Sequence, residues 1–263
     1  MSYDHVIYEK RGRIAYVTLN RPERMNALDT HSHGELIEIF DDFAGDPDAW
    51  VAIITGAGDR AFCAGNDLKA TADATANGRK RVDSTSRFAA ITRAYECTKP
   101  LIAAVNGVAA GGGFEIALAC DIVVAAQRAR FGLPEPRVGL IAGAGGIHRL
   151  SRQIPLKQAM GLLLTGRLVS AEEGYSLGFV NEVVPAGSDV VGAAERWAGE
   201  ILECSPLLVQ LTKEAVLDGF GLPVDDAIAR DWQERIPRML ASEDYVEGPR
   251  AFAQKRKPVW AGR

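Results

Sequence analysis

The chain has 263 residues, of which 47% are hydrophobic and 24% charged, and 34 acidic against 30 basic residues give a formal net charge of −4. This composition is typical of a globular protein long enough to bury a large core, so it excludes a mainly disordered chain. The acidic balance argues against a nucleic-acid-binding surface. Glycine is unusually frequent, with 27 residues, and it clusters at 111–113 and 143–146.

The first half of the chain predicts alternating strands and helices. Apolar runs bounded by Gly or Pro predict strands over 13–19, 51–55, 101–105 and 121–125. Helical spacing predicts a helix from the Asp29-Thr30 cap to about Phe43, another ending near Cys97, and a short apolar helix over 114–119. Continuous apolar strands are typical of sheets covered on both faces, which indicates the α/β class.

The second half predicts mainly helices. Ser170 to Glu173 form a capping box, and Pro206, Pro223 and Pro249 mark helix starts or breaks. Helical periodicity covers 188–203, 206–218, 223–240 and 244–254. We therefore predict a strand-rich core over residues 1–200 and a helical region over 201–263. Residues 70–84, which are polar and rich in alanine, predict a mobile loop or lid.

Cysteine usage and hydropathy bear on the compartment. The four cysteines have no C-x-x-C spacing and predict reduced thiols of a cytoplasmic protein, and no export signal is visible at the N-terminus. The longest apolar tract, 101–126, contains Asn106, Glu115 and Asp121, so we expect a buried core rather than a membrane span. His31 and His33 stand two apart on a predicted helix and point to different sides, so we expect no metal there.

Common cofactor motifs are absent or incomplete. The segment 56–61 fits the dinucleotide pattern G-x-G-x-x-[GA] after a strand, but further glycine follows it where the pattern needs a helix. No P-loop motif occurs. The sequence therefore predicts no bound nucleotide cofactor.

Two acidic residues have unusual surroundings. Glu115 belongs to the apolar helix, and a buried carboxylate must be hydrogen-bonded or titrate at higher pH. Glu135 lies between two prolines, which restrict the backbone around it. From the residues alone, a structural acid at a helix N-terminus and a solvated loop acid remain open alternatives. The glycines at 111–113 leave backbone N–H groups accessible for a developing oxyanion, although close packing explains them equally well.

Several segments together carry a family resemblance. They are Leu19–Pro22, Asn26–Leu28, Phe62–Lys69, Lys99–Gly107, Gly111–Ala117, Phe131–Glu135, Gly143–Gly146 with Arg149-Leu150, and Ala251–Arg256. On these residues the chain resembles the crotonase family, and within it enoyl-CoA hydratases and carnitinyl-CoA dehydratase-like members. The likeness to the latter rests on the C-terminal segment 247–260, on Gly113–Glu115 and on Asp67–Ala70.

The resemblance implies a fold and an assembly. It implies a ClpP-like spiral of ββα units with two roughly perpendicular sheets, and a helical C-terminal region that mediates trimerisation, often within a hexamer of two trimers. It also implies an acyl-CoA thioester as substrate, with no separate cofactor or metal. No nucleic acid or membrane partner is expected.

The resemblance also implies site residues. The N–H groups of Ala64 and Gly112 would form an oxyanion hole, and Glu115 and Glu135 would be the catalytic acids. Glu115 would activate water for attack on C3 of a 2-enoyl thioester, while Glu135 would protonate C2. The implied substrate-binding residues are Arg24, Ala64, Gly65, Asn66, Asp67, Leu68, Gly112, Gly143, Phe252 and Lys255.

Other functions stay open at this point. A carnitinyl-CoA dehydratase, a double-bond isomerase or a thioester hydrolase would use the same fold. A non-catalytic CoA- or RNA-binding member of the family is the alternative from another class.

Overall fold

The computed structural model describes residues 3–69, 87–93 and 95–263. The predicted lid at 70–84 thus lies outside the described residues. The chain divides into two compact units, one of Met1–Glu96 with Leu101–Arg196 and the other of Cys97–Pro100 with Trp197–Arg263. Within the described ranges, no helix combines the length and apolar character that crossing a membrane requires.

The first unit contains two sheets. The larger has the order β1-β2-β3-β5-β7-β10, and the smaller has the order β4-β6-β8-β9. The strands are β1 (Val6–Arg11), β2 (Ile14–Leu19), β3 (Val51–Gly56), β4 (Ala61–Cys63), β5 (Leu101–Val105), β6 (Val108–Ala110), β7 (Ile122–Ala126), β8 (Arg130–Gly132), β9 (Val169–Ser170) and β10 (Glu182–Val184). β1 pairs with β2, and β8 with β9, in antiparallel fashion; the remaining pairs are parallel.

Successive strands alternate between the two sheets. β3, β5 and β7 lie in the larger sheet, and each is followed by a short strand, β4, β6 or β8, in the smaller one. Every residue of β5 is buried, as expected for a parallel strand covered on both faces. The α/β class is confirmed. This alternation brings the ends of β4 and β6 together, and the candidate site is built there.

The helices of the first unit begin with α1 (Thr30–Gly45), α2 (Gly112–Ala119), α3 (Gly146–Gln153), α4 (Leu156–Thr165) and α5 (Ala171–Leu177). The division between the units falls within α6 (Val190–Leu202). The second unit continues with α7 (Pro206–Gly219), α8 (Val224–Glu234), α9 (Ile236–Leu240) and α10 (Glu243–Ala253). Two 3₁₀ turns, Pro22–Arg24 and Glu135–Val138, complete the regular structure that we describe.

The predicted helix caps are present. The Asp29 side chain accepts a hydrogen bond from the Ser32 N–H at the start of α1, and the Ser170 side chain accepts one from the Glu173 N–H at the start of α5. Each bond satisfies one of the N–H groups that a helix leaves without an internal partner.

Three sequence predictions differ from the structure. No helix leads to Cys97 within the described residues, because Ala89 and Ala90 have left-handed backbone angles (φ 48° and 64°) that a right-handed helix does not allow. The predicted helix over 223–240 is two helices, with Pro237 at the start of α9. Pro249 neither starts nor ends a helix, since it lies inside α10.

Asn106 ties the end of β3 to the loop after β5. Its side chain is 5% exposed, accepts the Gly56 N–H at 3.2 Å, and donates to the carbonyl oxygens of Gly56 and Gly58, both at 2.8 Å. A buried polar group that loses its partner retains the full cost of its desolvation. The side chain of Asn106 therefore stabilises the junction from which the chain enters the smaller sheet.

We expect Asn106→Ala to lower the free energy of unfolding by about 2–3 kcal/mol, because several backbone groups would lose buried partners. Urea unfolding would measure it. Asn181→Ala is the matched control: this exposed side chain accepts one bond, from the Val123 N–H, and we expect a loss below about 1 kcal/mol. Equal effects of the two substitutions would contradict the role given to Asn106.

Candidate active site

A cavity of about 150 Å³ opens in the first unit, beside the ends of β4 and β6. Most of its lining is apolar side chain or bare backbone. Glu115 and Glu135 are the charged residues among those described in the lining. The full lining is Ala64, Gly65, Asn66, Leu68, Phe88, Gly111, Gly112, Glu115, Pro134, Glu135, Val138, Leu140, Ile141, Gly143 and Ala144. The sequence analysis predicted both acids as site residues, and the fold brings them to the same cavity.

Glu115 is a buried acid in the first turn of α2, with 3% of its surface exposed. Its Oε1 accepts a hydrogen bond of 2.8 Å from the Gly146 N–H at the start of α3. Burial raises the pKa of Glu115 to about 7, and the negative charge of Glu135 acts in the same direction. The N–H groups of Gly146 and Ala144 and the charge of Arg149 oppose this rise in pKa.

Glu135 begins the 3₁₀ turn after β8 and is half-buried. Burial raises its pKa, while its own backbone N–H acts in the opposite direction. Its Oε2 is buried and has no hydrogen-bond partner among the described residues. Because a buried carboxylate oxygen without a donor is costly, this site favours the protonated form of Glu135.

Close backbone contact explains the triple glycine. A Cβ at Gly113 would overlap the carbonyl oxygen of Cys63, and a Cβ at Gly65 would come within 2.9 Å of the Gly112 nitrogen. Gly65 and Gly111 have positive φ angles of 92° and 55°, which L side chains rarely adopt. The segment after β4 therefore lies directly against the start of α2. No carbonyl of the described residues accepts the Gly112 N–H.

The N–H of Ala64 does not fit the role that the sequence analysis gave it. It already donates a hydrogen bond of 3.0 Å to the Met25 carbonyl oxygen, and an amide has one proton to donate. In the residues that follow, the Gly65 carbonyl oxygen accepts a hydrogen bond from the Leu28 N–H, and the Asp67 N–H donates one to the Leu28 carbonyl oxygen. In such a parallel bridge the N–H of the residue between, here Asn66, points away from Leu28.

The structure separates the predicted substrate-binding residues into groups. Ala64, Gly65, Asn66, Leu68, Gly112 and Gly143 line the cavity. Arg24 lies in the exposed 3₁₀ turn, and Asp67 accepts a hydrogen bond of 3.3 Å from Arg21; neither belongs to the lining. Phe252, which is 87% exposed, and Lys255 belong to the second unit. Their part in binding stays a prediction.

Sequence reasoning missed several apolar lining residues. Phe88 lies over the start of α2, where a Cβ at Gly112 would overlap its ring. The ring also contacts His33, with the two ring centroids 4.6 Å apart, and His33 accepts a hydrogen bond from the Ala89 N–H. Val138, Leu140 and Ile141 form another part of the wall. Among these residues, only Phe88 had a recognisable sequence feature, because no aromatic residue occurs between Phe62 and Phe88.

One group of side chains has the spacing of metal ligands. Ligand atoms of Asp4, His31 and Glu35 lie within 4.8 Å of one another, a group found by searching the described residues. Glu35 already accepts the backbone N–H groups of Asp4 and His5, at 2.7 and 3.0 Å. His31 is exposed whereas His33 is buried, so the two histidines do point to different sides.

Comparison with known proteins gives consistent results. The enoyl-CoA hydratase/isomerase family profile matches residues 9–263. Carnitinyl-CoA dehydratases are similar over 97% of the chain: that of Citrobacter koseri is 40% identical over 259 residues, covering 98% of that protein, and that of Escherichia coli K12 is 41% identical over 257 residues, covering 97%.

Solved structures agree with the family match. A crystal structure of enoyl-CoA hydratase from Mycobacterium tuberculosis H37Rv superposes with a TM-score of 0.89 at 41% identity, covering 98% of this chain and 99% of that one. An enoyl-CoA hydratase from Bacillus anthracis gives a TM-score of 0.88 at 32% identity, covering 99% and 100%. The resemblance and the crotonase fold are confirmed, and the chain belongs to the enoyl-CoA hydratase/isomerase family.

Proposed function

We propose that this chain is an enoyl-CoA hydratase, which adds water reversibly across the 2,3 double bond of a 2-enoyl-CoA thioester to give a 3-hydroxyacyl-CoA. One observation carries the proposal: two carboxyl groups with raised pKa values share a cavity with the backbone of a glycine-rich helix start. Hydration needs a base for water and an acid for C2 in the same site. A single acid would suffice to move a double bond, so the second favours hydration over isomerisation.

The surroundings of the two acids support different roles. Glu115 accepts hydrogen bonds from backbone N–H groups and feels the charge of Arg149, and both favour its ionised form against the burial that raises its pKa to about 7. Glu135 has a buried oxygen without a donor among the described residues, which favours a protonated acid. Glu115 therefore takes the proton of the attacking water, and Glu135 gives its proton to C2.

Backbone N–H groups would hold the thioester oxygen as negative charge develops on it. Gly112 supplies one donor at the start of α2, whose dipole also favours negative charge. We assign the second donor to Asn66 in place of Ala64, because the Asn66 N–H points away from Leu28 on a segment that contacts Gly112. Arg24, Phe252 and Lys255 would bind the CoA moiety.

The proposal extends to assembly and compartment. We propose a homotrimer or a hexamer of two trimers in the cytoplasm, with the acyl-CoA as the only partner and no added cofactor or metal. Size-exclusion chromatography with light scattering would test the assembly.

Carnitinyl-CoA dehydratase activity is the second candidate, because relatives with that name are about 40% identical over nearly the whole chain. A carnitinyl group carries a quaternary ammonium, which proteins hold with aromatic faces or anions. The described lining offers one aromatic ring, Phe88, besides the two acids, and residues 70–86 contain no aromatic residue. We therefore place an uncharged acyl group first.

We expect Glu115→Gln and Glu135→Gln each to lower kcat for hydration of crotonyl-CoA by about 10²–10⁴-fold, because each removes a proton-transfer group. Loss of enoyl-thioester absorbance would measure the rate, and calorimetry would measure CoA-thioester binding, which should survive. Product mass would show the addition of one water. Undiminished turnover in either variant would remove that residue from the mechanism.

The buried charge of Glu115 should also be visible in stability. Because its folded pKa of about 7 lies above the ordinary 4.5, the folded chain holds more protons between these pH values, and stability falls as pH rises through that window. Glu115→Gln lacks this loss. Relative to the wild type, we expect it to gain on the order of 2 kcal/mol between pH 4.5 and 7. Urea unfolding would test this, and a difference that is constant with pH would contradict it.

Substrate preference separates the two candidate activities. We expect kcat/KM for crotonyl-CoA to exceed that for crotonobetainyl-CoA by about tenfold or more, because an apolar wall does not compensate a buried ammonium. Parallel assays on both thioesters, with product mass, would measure the ratio. Equal or better turnover of crotonobetainyl-CoA would establish the second candidate instead.

A further inference from the structure

A positively charged side chain lies against the turn that precedes α3. Arg149, in the first turn of α3, is half-buried, and its Nη1 donates a hydrogen bond of 3.3 Å to the Ala144 carbonyl oxygen. Burial lowers the pKa of Arg149, and the charge of Glu115 opposes this. A half-buried guanidinium of this kind has a desolvation cost that a nearby carboxylate offsets.

Arg149 and Glu115 hold the same turn from two sides. The carbonyl of Ala144 accepts from Arg149, while the N–H groups of Ala144 and Gly146 stabilise the Glu115 carboxylate. Gly145 lies between them with φ 102°, and a Cβ there would overlap the Arg149 guanidinium. Glycine at this position therefore lets the guanidinium fold back over the turn.

The charges around Glu115 form a small set. Glu135 faces it from the 3₁₀ turn after β8, and Arg149 faces it from α3. No ion pair within 4.0 Å joins Arg149 to Glu115 in the described part of the chain. The charge of Arg149 therefore acts on Glu115 from a longer distance, and the two side chains are linked by their hydrogen bonds to the turn over residues 144–146.

We propose that Arg149 is a positioning residue that holds the turn over residues 144–146 and thereby orients the Glu115 carboxylate, while its positive charge favours the ionised form of Glu115. This inference rests on the proposed hydratase function for its kinetic meaning, but the effect on Glu115 itself is independent of any reaction. A cation in direct contact with Glu115 would restrict the movement of its carboxylate. The guanidinium of Arg149 supplies positive charge without belonging to the cavity lining.

Two variants separate charge from hydrogen bonding. Arg149→Gln removes the charge, and Arg149→Lys keeps the charge while losing the planar guanidinium. The matched control is Arg152→Gln on the same helix, where the exposed Arg152 donates to the His148 carbonyl oxygen. Urea unfolding comes first, and if Arg149→Gln does not fold, Gly145→Ala displaces the guanidinium by overlap instead.

The first readout does not need turnover. Carboxyl NMR of ¹³C-labelled protein, with the Glu115 signal assigned by its loss in Glu115→Gln, would give the titration midpoint of Glu115. We expect Arg149→Gln to move this midpoint to higher pH by about one unit, while Arg149→Lys and Arg152→Gln leave it near that of the wild type. An unchanged midpoint in Arg149→Gln would overturn the inference.

The second readout is the pH profile of kcat/KM on crotonyl-CoA. The rising limb reports the base of the free enzyme, so Arg149→Gln should lose about fivefold at pH 7 and recover toward pH 9. A loss of the same size at every pH would indicate a merely structural role and contradict the inference. Absence of hydration in the wild type would refute the proposed function, while leaving the NMR test of Arg149 valid.

Discussion

Two carboxyl groups in one apolar cavity create the electrostatic problem around which the site is built. Either charge is costly to desolvate, and the charge of Glu135 adds to burial in raising the pKa of Glu115 to about 7. The surroundings then divide the pair. Backbone N–H groups at the start of α3 stabilise the charge on Glu115, whereas Glu135 has an oxygen without such a donor among the described residues.

The different surroundings of Glu115 and Glu135 depend on how closely the backbone segments approach each other, and glycine makes this close approach possible. Gly65 and Gly113 let the segment after β4 lie against the start of α2, and Gly146 lies where a Cβ would come within 3.0 Å of the Glu115 carboxyl oxygen. A side chain at any of these positions would force the elements apart. The clustered glycines noted in the composition are therefore a consequence of close approach around Glu115 and the start of α2, and not of flexible linkers.

Much of the fold could be predicted from the sequence, because buried parallel strands such as β5 are continuous apolar runs and because helix starts such as that at Asp29 carry their own caps. The three-residue strands β4, β6 and β8 were out of reach, since three residues show no periodicity. The apolar and proline-rich surroundings of the two acids were unusual, but only the family resemblance assigned both acids to the site. The donor at Ala64 was misassigned because sequence does not show which way an N–H points along an irregular strand.

Gly65 also has a consequence for how this scaffold can diversify. The proposed oxyanion donors beside it belong to the backbone, and their position depends on a close approach that tolerates no side chain at residue 65, whose φ is 92°. The two carboxyl groups, by contrast, are ordinary side chains that a single substitution can exchange. Mutation can thus replace the proposed proton-transfer groups while the proposed backbone site for an oxyanion stays intact, so new reactions on the same fold lie few substitutions away.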